Sequence, residues 1–166
     1  MTGRSCLRLL FLVWFALFAA SSANADQGKA LFDSGKYSDA VAWWKQASKT
    51  NQDHEAEFRL GDYYESGLAE PENLGEAAKW YILAAEGGHA GAQFAIGAFY
   101  EAGAGVEQSR DKAAFWYEKC ASRNIANCQF NLGRLYSSDA LGAPDFVEAY
   151  KWYYLSAKNG FMSSSS

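Results

Sequence analysis

Between residues 54 and 66 the apolar positions Ala56, Leu60 and Tyr64 fall four residues apart, which makes one stripe of an α-helix. A second stripe follows at Ala77, Trp80, Tyr81 and Ala84. Gly67 lies between the two as a helix stop, and Asn73 as an N-cap for the second helix. The unit is therefore a pair of antiparallel helices, A and B, with A over about 54–66. The same pattern recurs twice at a step of 36 residues with no insertion. Its anchors are Gly61, Gly97 and Gly133; Tyr64, Tyr100 and Tyr136; Trp80, Trp116 and Trp152. A fixed period of this size marks a stacked repeat array.

The repetition assigns roles to residues that a single copy leaves ambiguous. A mid-helix glycine costs about 1 kcal/mol relative to alanine, so its recurrence predicts a close approach of helix B at Gly61, Gly97 and Gly133. Ser109 and Asp145 repeat the capping role of Asn73. Gly103 repeats the stop at Gly67, and Asp139 takes that place in the third copy, where it is expected in the left-handed conformation. Gly88 and Gly160 close helix B, with Asn124 in the same role in the middle copy. Small residues at 77, 113 and 149 alternate with tryptophan, so the buried stripe is expected to run through Trp80, Trp116 and Trp152. Ahead of these copies, Ala30-Leu31-Phe32-x-x-Gly35-x-Tyr37 and Asp39-Ala40-x-x-Trp43-Trp44 match a shortened unit, expected as an N-terminal capping hairpin over 26–53.

The pattern A-x-x-x-L-G-x-x-Y-x-x-G…A-x-x-W-Y resembles the Sel1-like repeat, a relative of the tetratricopeptide repeat. The resemblance implies an all-α, antiparallel helix-hairpin solenoid with a right-handed superhelix. Its repeats are read at 54–89, 90–125 and 126–161, followed by a tail at 162–166. It also implies a protein or peptide partner bound on a concave surface lined by the A helices.

Residues 1–25 stand outside this pattern. Arg4 and Arg8 precede a run of 12 apolar residues, Leu9 to Ala20, and Ala23-Asn24-Ala25 is a small-x-small cleavage site. That is the layout of a secretory signal peptide, with Asp26 as the first mature residue and no stable membrane insertion after cleavage. The expected location is periplasmic or secreted. Cleavage leaves 13 basic against 19 acidic residues, a net charge of −6. Such a balance argues against a nucleic-acid surface, which needs clustered lysine and arginine.

Two cysteines then remain. Cys120 lies late in helix B of the second copy and Cys128 early in helix A of the third, at the position of Ala56 and Ala92. The helices leave the intervening bend antiparallel, so the sulfurs can meet, and an exported chain with an even cysteine count supports a disulfide. The C-x7-C spacing resembles that of cysteine-rich secreted Sel1-like proteins. Two small buried thiols are the alternative; the spacing does not suit zinc.

No catalytic, cofactor or metal pattern survives inspection. Ser109-x-x-Lys112 matches the nucleophile motif of penicillin-recognising enzymes, but the repeat assigns Ser109 to a cap, and the companion motifs are missing. An enzyme reading rests only on the β-lactamase or penicillin-binding role described for cysteine-rich relatives. The binding surface is expected on the A-helix face beside the core stripe. There Phe58, Phe94 and Phe130 form a ladder. The charges do not repeat: Asp62 and Glu65, then Glu101, then Arg134. Tyr154 and Leu155 replace Glu118 and Lys119 of the middle copy, so self-association through an exposed C-terminal patch is expected.

Overall fold

The computed structural model describes residues 27–160. The leader at 1–25 and the tail at 162–166 lie outside the described residues. A helix α1 over 27–33 precedes α2 (Tyr37–Asn51), α3 (His54–Ser66), α4 (Leu74–Glu86), α5 (Ala90–Ala102), α6 (Arg110–Ala121), α7 (Ala126–Tyr136) and α8 (Phe146–Lys158). A 3-10 turn, Asp139–Leu141, sits before α8. No strand occurs among the described residues. The helices pair as α3/α4, α5/α6 and α7/α8. Each pair then packs on the next through α4/α5 and α6/α7.

Three core clusters form, one at each boundary between hairpins. The first joins Ala40, Trp44 and Ala47 of α2 to Ala56, Leu60 and Tyr63 of α3. The second joins Ala77, Ala78, Tyr81, Ala84 and Ala85 of α4 to Ala92, Ile96 and Phe99 of α5. The third joins Ala113, Ala114, Tyr117 and Cys120 of α6 to Cys128, Leu132 and Leu135 of α7. Alanine at the contact positions lets the helices approach closely, and one or two buried aromatic rings per layer fill the remaining space.

The glycine expectation holds with a specific cause. A Cβ on Gly61 would collide with the ring of Tyr81; one on Gly97 would come within 2.6 Å of Tyr117, and one on Gly133 within 2.8 Å of Tyr153. The predicted caps also form. Asn73 Oδ1 accepts from Glu76 N–H, Ser109 Oγ from Lys112 N–H, and Asp145 Oδ1 from Val147 and Glu148 N–H. Gly67, Gly103, Gly88, Gly160 and Asn124 all take positive φ.

Three expectations are corrected. Tyr63, 5 % exposed, and its equivalents Phe99 and Leu135 complete the A stripe; Tyr64, Tyr100 and Tyr136 are half-buried. On helix B the deepest ring is the residue after the tryptophan. Tyr81 and Tyr117 are each 1 % exposed, whereas Trp80, Trp116 and Trp152 are half-buried flanks of the preceding core. Adjacent helical residues differ by about 100° in direction, and the small core leaves room for only one of the two. Finally, Asp139 does not take the left-handed conformation. α7 ends at Tyr136, Asp139 opens the 3-10 turn, and positive φ moves to Gly142 at +105°.

Candidate functional site

The A-helix face is held in place by the same ring that sets the core. Phe58 packs on Tyr81 at 5.7 Å, Phe94 on Tyr117 at 6.0 Å, and Phe130 on Tyr153 at 5.5 Å between ring centroids. All three phenylalanines are half-buried, so each leaves only part of its surface open. The tyrosines run beneath the glycine gap and bring their hydroxyls out among the charges.

What each hydroxyl meets differs from copy to copy. Tyr81 Oη lies 2.8 Å from Asp62 Oδ1 and 2.5 Å from Glu65 Oε2. One phenolic proton cannot serve both carboxylates at once. Burial pushes the Asp62 carboxyl above the usual range, against the hydrogen bond from Tyr81 and the Arg59 charge. Burial, with the Glu65 hydrogen bond, also holds the Tyr81 hydroxyl protonated far above its ordinary value. Arg59 pairs with Glu55 at 2.7 Å and stands 3.6 Å from Asp62. One repeat on, Tyr117 Oη donates to Glu101 at 3.2 Å, and Arg134 reaches back from the next hairpin to Glu101 at 2.6 Å. In the last copy Tyr153 Oη meets Ser137 Oγ at 3.3 Å, a serine in the place of Glu65 and Glu101.

Of the residues expected to bind a partner, Asp62 joins Glu65 around Tyr81, and Glu101 pairs with Arg134. These two groups sit one repeat apart along the same face. Sequence reasoning missed Arg59 and the three tyrosine hydroxyls. Their signal was present: the second aromatic of each Trp-Tyr pair recurs at 81, 117 and 153.

The turns between repeats carry their own chemistry. His89 caps α5: Nδ1 accepts from Ala92 N–H at 3.1 Å, which leaves Nε2–H to meet Glu55 at 2.9 Å. Its ring stacks on Phe58 at 4.5 Å. This hydrogen bond holds the Glu55 carboxyl below its usual range. At the next turn Cys120 and Cys128 are joined in a disulfide with Cα atoms 5.9 Å apart. A buried amide also recurs there. Gln93 Nε2 donates to Ala85 O and Gln129 Nε2 to Ala121 O. Glu57 takes that position in the first repeat. It is 2 % exposed and accepts from Ser48 Oγ and pairs with His54 Nδ1.

Ser109 and Lys112 do not form a nucleophile pair. The Ser109 hydroxyl accepts a backbone N–H, and Lys112 Nζ lies over the Tyr100 ring at 5.1 Å. Among the described residues no three His, Cys, Asp or Glu side chains group to hold a metal, and no helix is long and apolar enough to cross a membrane. At the C-terminal end Tyr154 is exposed, but Leu155 is half-buried. The exposed stripe of α8 runs instead through Phe146, Tyr150 and Tyr154.

Stacked helical hairpins with a constant core and a variable face define a repeat solenoid. The Sel1 repeat model matches residues 54–89, 90–124 and 126–161. The chain belongs to the Sel1 repeat family. No curated protein matches it. Among solved structures it is similar to a protective antigen present in uropathogenic Escherichia coli strains, which displays an SLR fold. That match has a TM-score of 0.79 and 26 % identity, over 84 % of this chain and 31 % of the antigen. It is also similar to a Sel1 repeat protein from Oxalobacter formigenes, with a TM-score of 0.71 and 32 % identity, over 82 % of this chain and 56 % of that one. The chain thus spans about a third of the first protein and just over half of the second.

Proposed function

We propose that this protein is an exported scaffold that binds a partner protein on the concave A-helix face. Sel1 repeats are typically protein-interaction scaffolds. One observation carries the choice of face. The Gly–Tyr–Phe support repeats unchanged, while the groups around the tyrosine hydroxyl change from two carboxylates, to a Glu101–Arg134 pair, to a serine. A constant frame that presents unlike polar groups is how a repeat surface acquires specificity. Export is supported by the leader-like start and by the disulfide, which persists in oxidising compartments.

The test compares affinity capture from an envelope extract by the wild type and by Glu65→Lys/Glu101→Arg/Arg134→Glu. The swap at 101 and 134 keeps an ion pair but reverses its direction, so thermal stability should change little. Proteins captured by the wild type should be lost with the variant. Equal capture would place binding elsewhere. A chromogenic β-lactam should survive incubation with the purified protein; its hydrolysis would support an enzyme instead.

A second surface is favoured by the exposure of Phe146, Tyr150 and Tyr154 on α8. Positions 78 and 114, equivalent to Tyr150, are alanines buried by the following hairpin. Self-association through this face predicts a concentration-dependent mass in sedimentation equilibrium that Tyr154→Lys abolishes.

A further inference from the structure

The N-terminal hairpin repeats the internal geometry with one change. Gly28 faces the ring of Trp44 as Gly61 faces Tyr81. Trp44 therefore stands where the other layers have a tyrosine, but it carries no hydroxyl that can reach out among the A-helix side chains. At that step the space is open. A cavity of about 200 Å³ lies between Lys29 and Phe32 of α1 and Arg59, Asp62 and Tyr63 of α3, with Trp44 also in its wall. An apolar cavity of roughly 150 Å³ is enough to hold benzene, so this one has room for a single leucine- or phenylalanine-sized side chain. It is small for a drug-sized molecule, whose pockets start near 300 Å³. Three aromatic rings line it. Its basic residues already have partners: Lys29 pairs with Asp33 at 2.5 Å, and Arg59 with Glu55 at 2.7 Å and with Asp62 at 3.6 Å.

Glu65, beside this cavity, has no counterpart of the arginine that meets its equivalent in the next repeat. Glu65 and Glu101 are equivalent, as are Ala98 and Arg134. Arg134 spans the repeat boundary to Glu101 at 2.6 Å. At the boundary before it, the arginine is replaced by the methyl group of Ala98. Glu65 is left exposed there, sharing one hydroxyl with Asp62. The molecule itself thus shows which group completes this arrangement: a guanidinium, which a carboxylate can receive through two parallel hydrogen bonds. Asp62 belongs to both places, since it lines the cavity and accepts from Tyr81. The two places are therefore within one or two residues of each other along an extended chain, at about 3.3–3.6 Å per residue.

We infer that the gap between α1 and α3 anchors a partner peptide, taking an apolar side chain into the cavity and an arginine or lysine, one or two residues away, between Asp62 and Glu65. This rests on the A-helix face being the binding face and names the chemistry it selects.

The experiment is a phage-displayed random dodecapeptide selection on the purified protein, followed by fluorescence anisotropy with the enriched peptide made synthetically. The enriched sequences should share an apolar residue with Arg or Lys within two positions. Ser66→Leu fills the cavity from an exposed position at the end of α3 and should weaken binding about tenfold or more. Glu65→Gln should weaken it severalfold and flatten its salt dependence. Replacing the peptide's basic residue by glutamine should have the same effect, with no further loss when the two changes are combined. No enrichment, or binding indifferent to Ser66→Leu and Glu65→Gln, overturns the inference. If the peptides respond instead to Glu101→Gln and Arg134→Gln, the face is right and the anchor is wrong. A response only to Tyr154→Lys removes both. A dimer without peptide that Ser66→Leu dissociates would make a second copy the occupant and likewise overturn the inference.

Discussion

The turn from α4 to α5 and the turn from α6 to α7 follow the same path but are held by different chemistry. Each passes through a left-handed residue, Gly88 at φ +90° and Asn124 at φ +62°. Each then extends into the N-cap, His89 at φ −69°, ψ 113° and Ile125 at φ −81°, ψ 110°. At the first turn the cap is a side chain, and His89 also ties α5 back to Glu55 and Phe58 of the preceding A helix. At the second, Ile125 has no capping oxygen or nitrogen, and the first buried position of α7 is instead bonded covalently to α6. Arg123 Nη1, from the second turn, donates to Gly88 O of the first. A repeat boundary thus requires its backbone turn and a tie between the two helices. Whether a polar cap or a disulfide supplies the tie is left to the sequence of each copy.

That comparison presumes that the hairpin interior is common to both turns, and the largest expected effect tests this. Tyr117→Ala removes a ring that is 1 % exposed and should cost about 3–5 kcal/mol in urea unfolding. Trp116→Ala, at a half-buried flank, should cost clearly less. The reverse order would mean that the tryptophan organises the layer.

Removing the disulfide comes next. Cys120→Ala/Cys128→Ala opens a short loop and should cost about 2–3 kcal/mol on the chain-entropy account. Hydrogen exchange should quicken in α7 more than in α5; equal quickening would show that the bond supports the whole array rather than one turn. His89→Ala should cost about 1 kcal/mol, and His89→Asn, which keeps a capping oxygen, should recover most of it. If asparagine rescues nothing, the Glu55 and Phe58 contacts matter more than the cap. Conversely, Ile125→Asp adds the missing acceptor at α7 and should offset part of the disulfide loss, by roughly 0.5–1 kcal/mol.

The smallest effect is in the acid range. Glu55 is held below its unfolded value by His89. Its contribution is present above the unfolded carboxyl value, about 4.3, and is lost as pH falls through the folded one. Asp62 is raised by burial. The folded state binds its proton more readily, so its contribution falls as pH rises from about 3.9 through the folded value. The two slopes oppose each other. Urea midpoints between pH 3 and 7 should therefore fall less steeply on acidification in Glu55→Gln than in the wild type, and more steeply in Asp62→Asn.

The 36-residue step, the hairpin, the caps at Asn73, Ser109 and Asp145, and the closing residues Gly88, Asn124 and Gly160 were all legible in the chain, because each acts on backbone within a few residues of itself. The disulfide was legible for the same reason: its cysteines flank one short turn. His89 as a cap was not, since histidine announces that role weakly. Tertiary structure alone decided which of two adjacent aromatics is buried, because the stripe shifts by about 100° per residue and only the neighbouring hairpin shows which direction is inward. It also decided the partners of Tyr81, Glu101 and Arg134, which lie 16 to 33 residues apart. The gap beside Trp44 is of the same kind. It arises where α1, α2 and α3 meet, and no stretch of sequence contains that meeting.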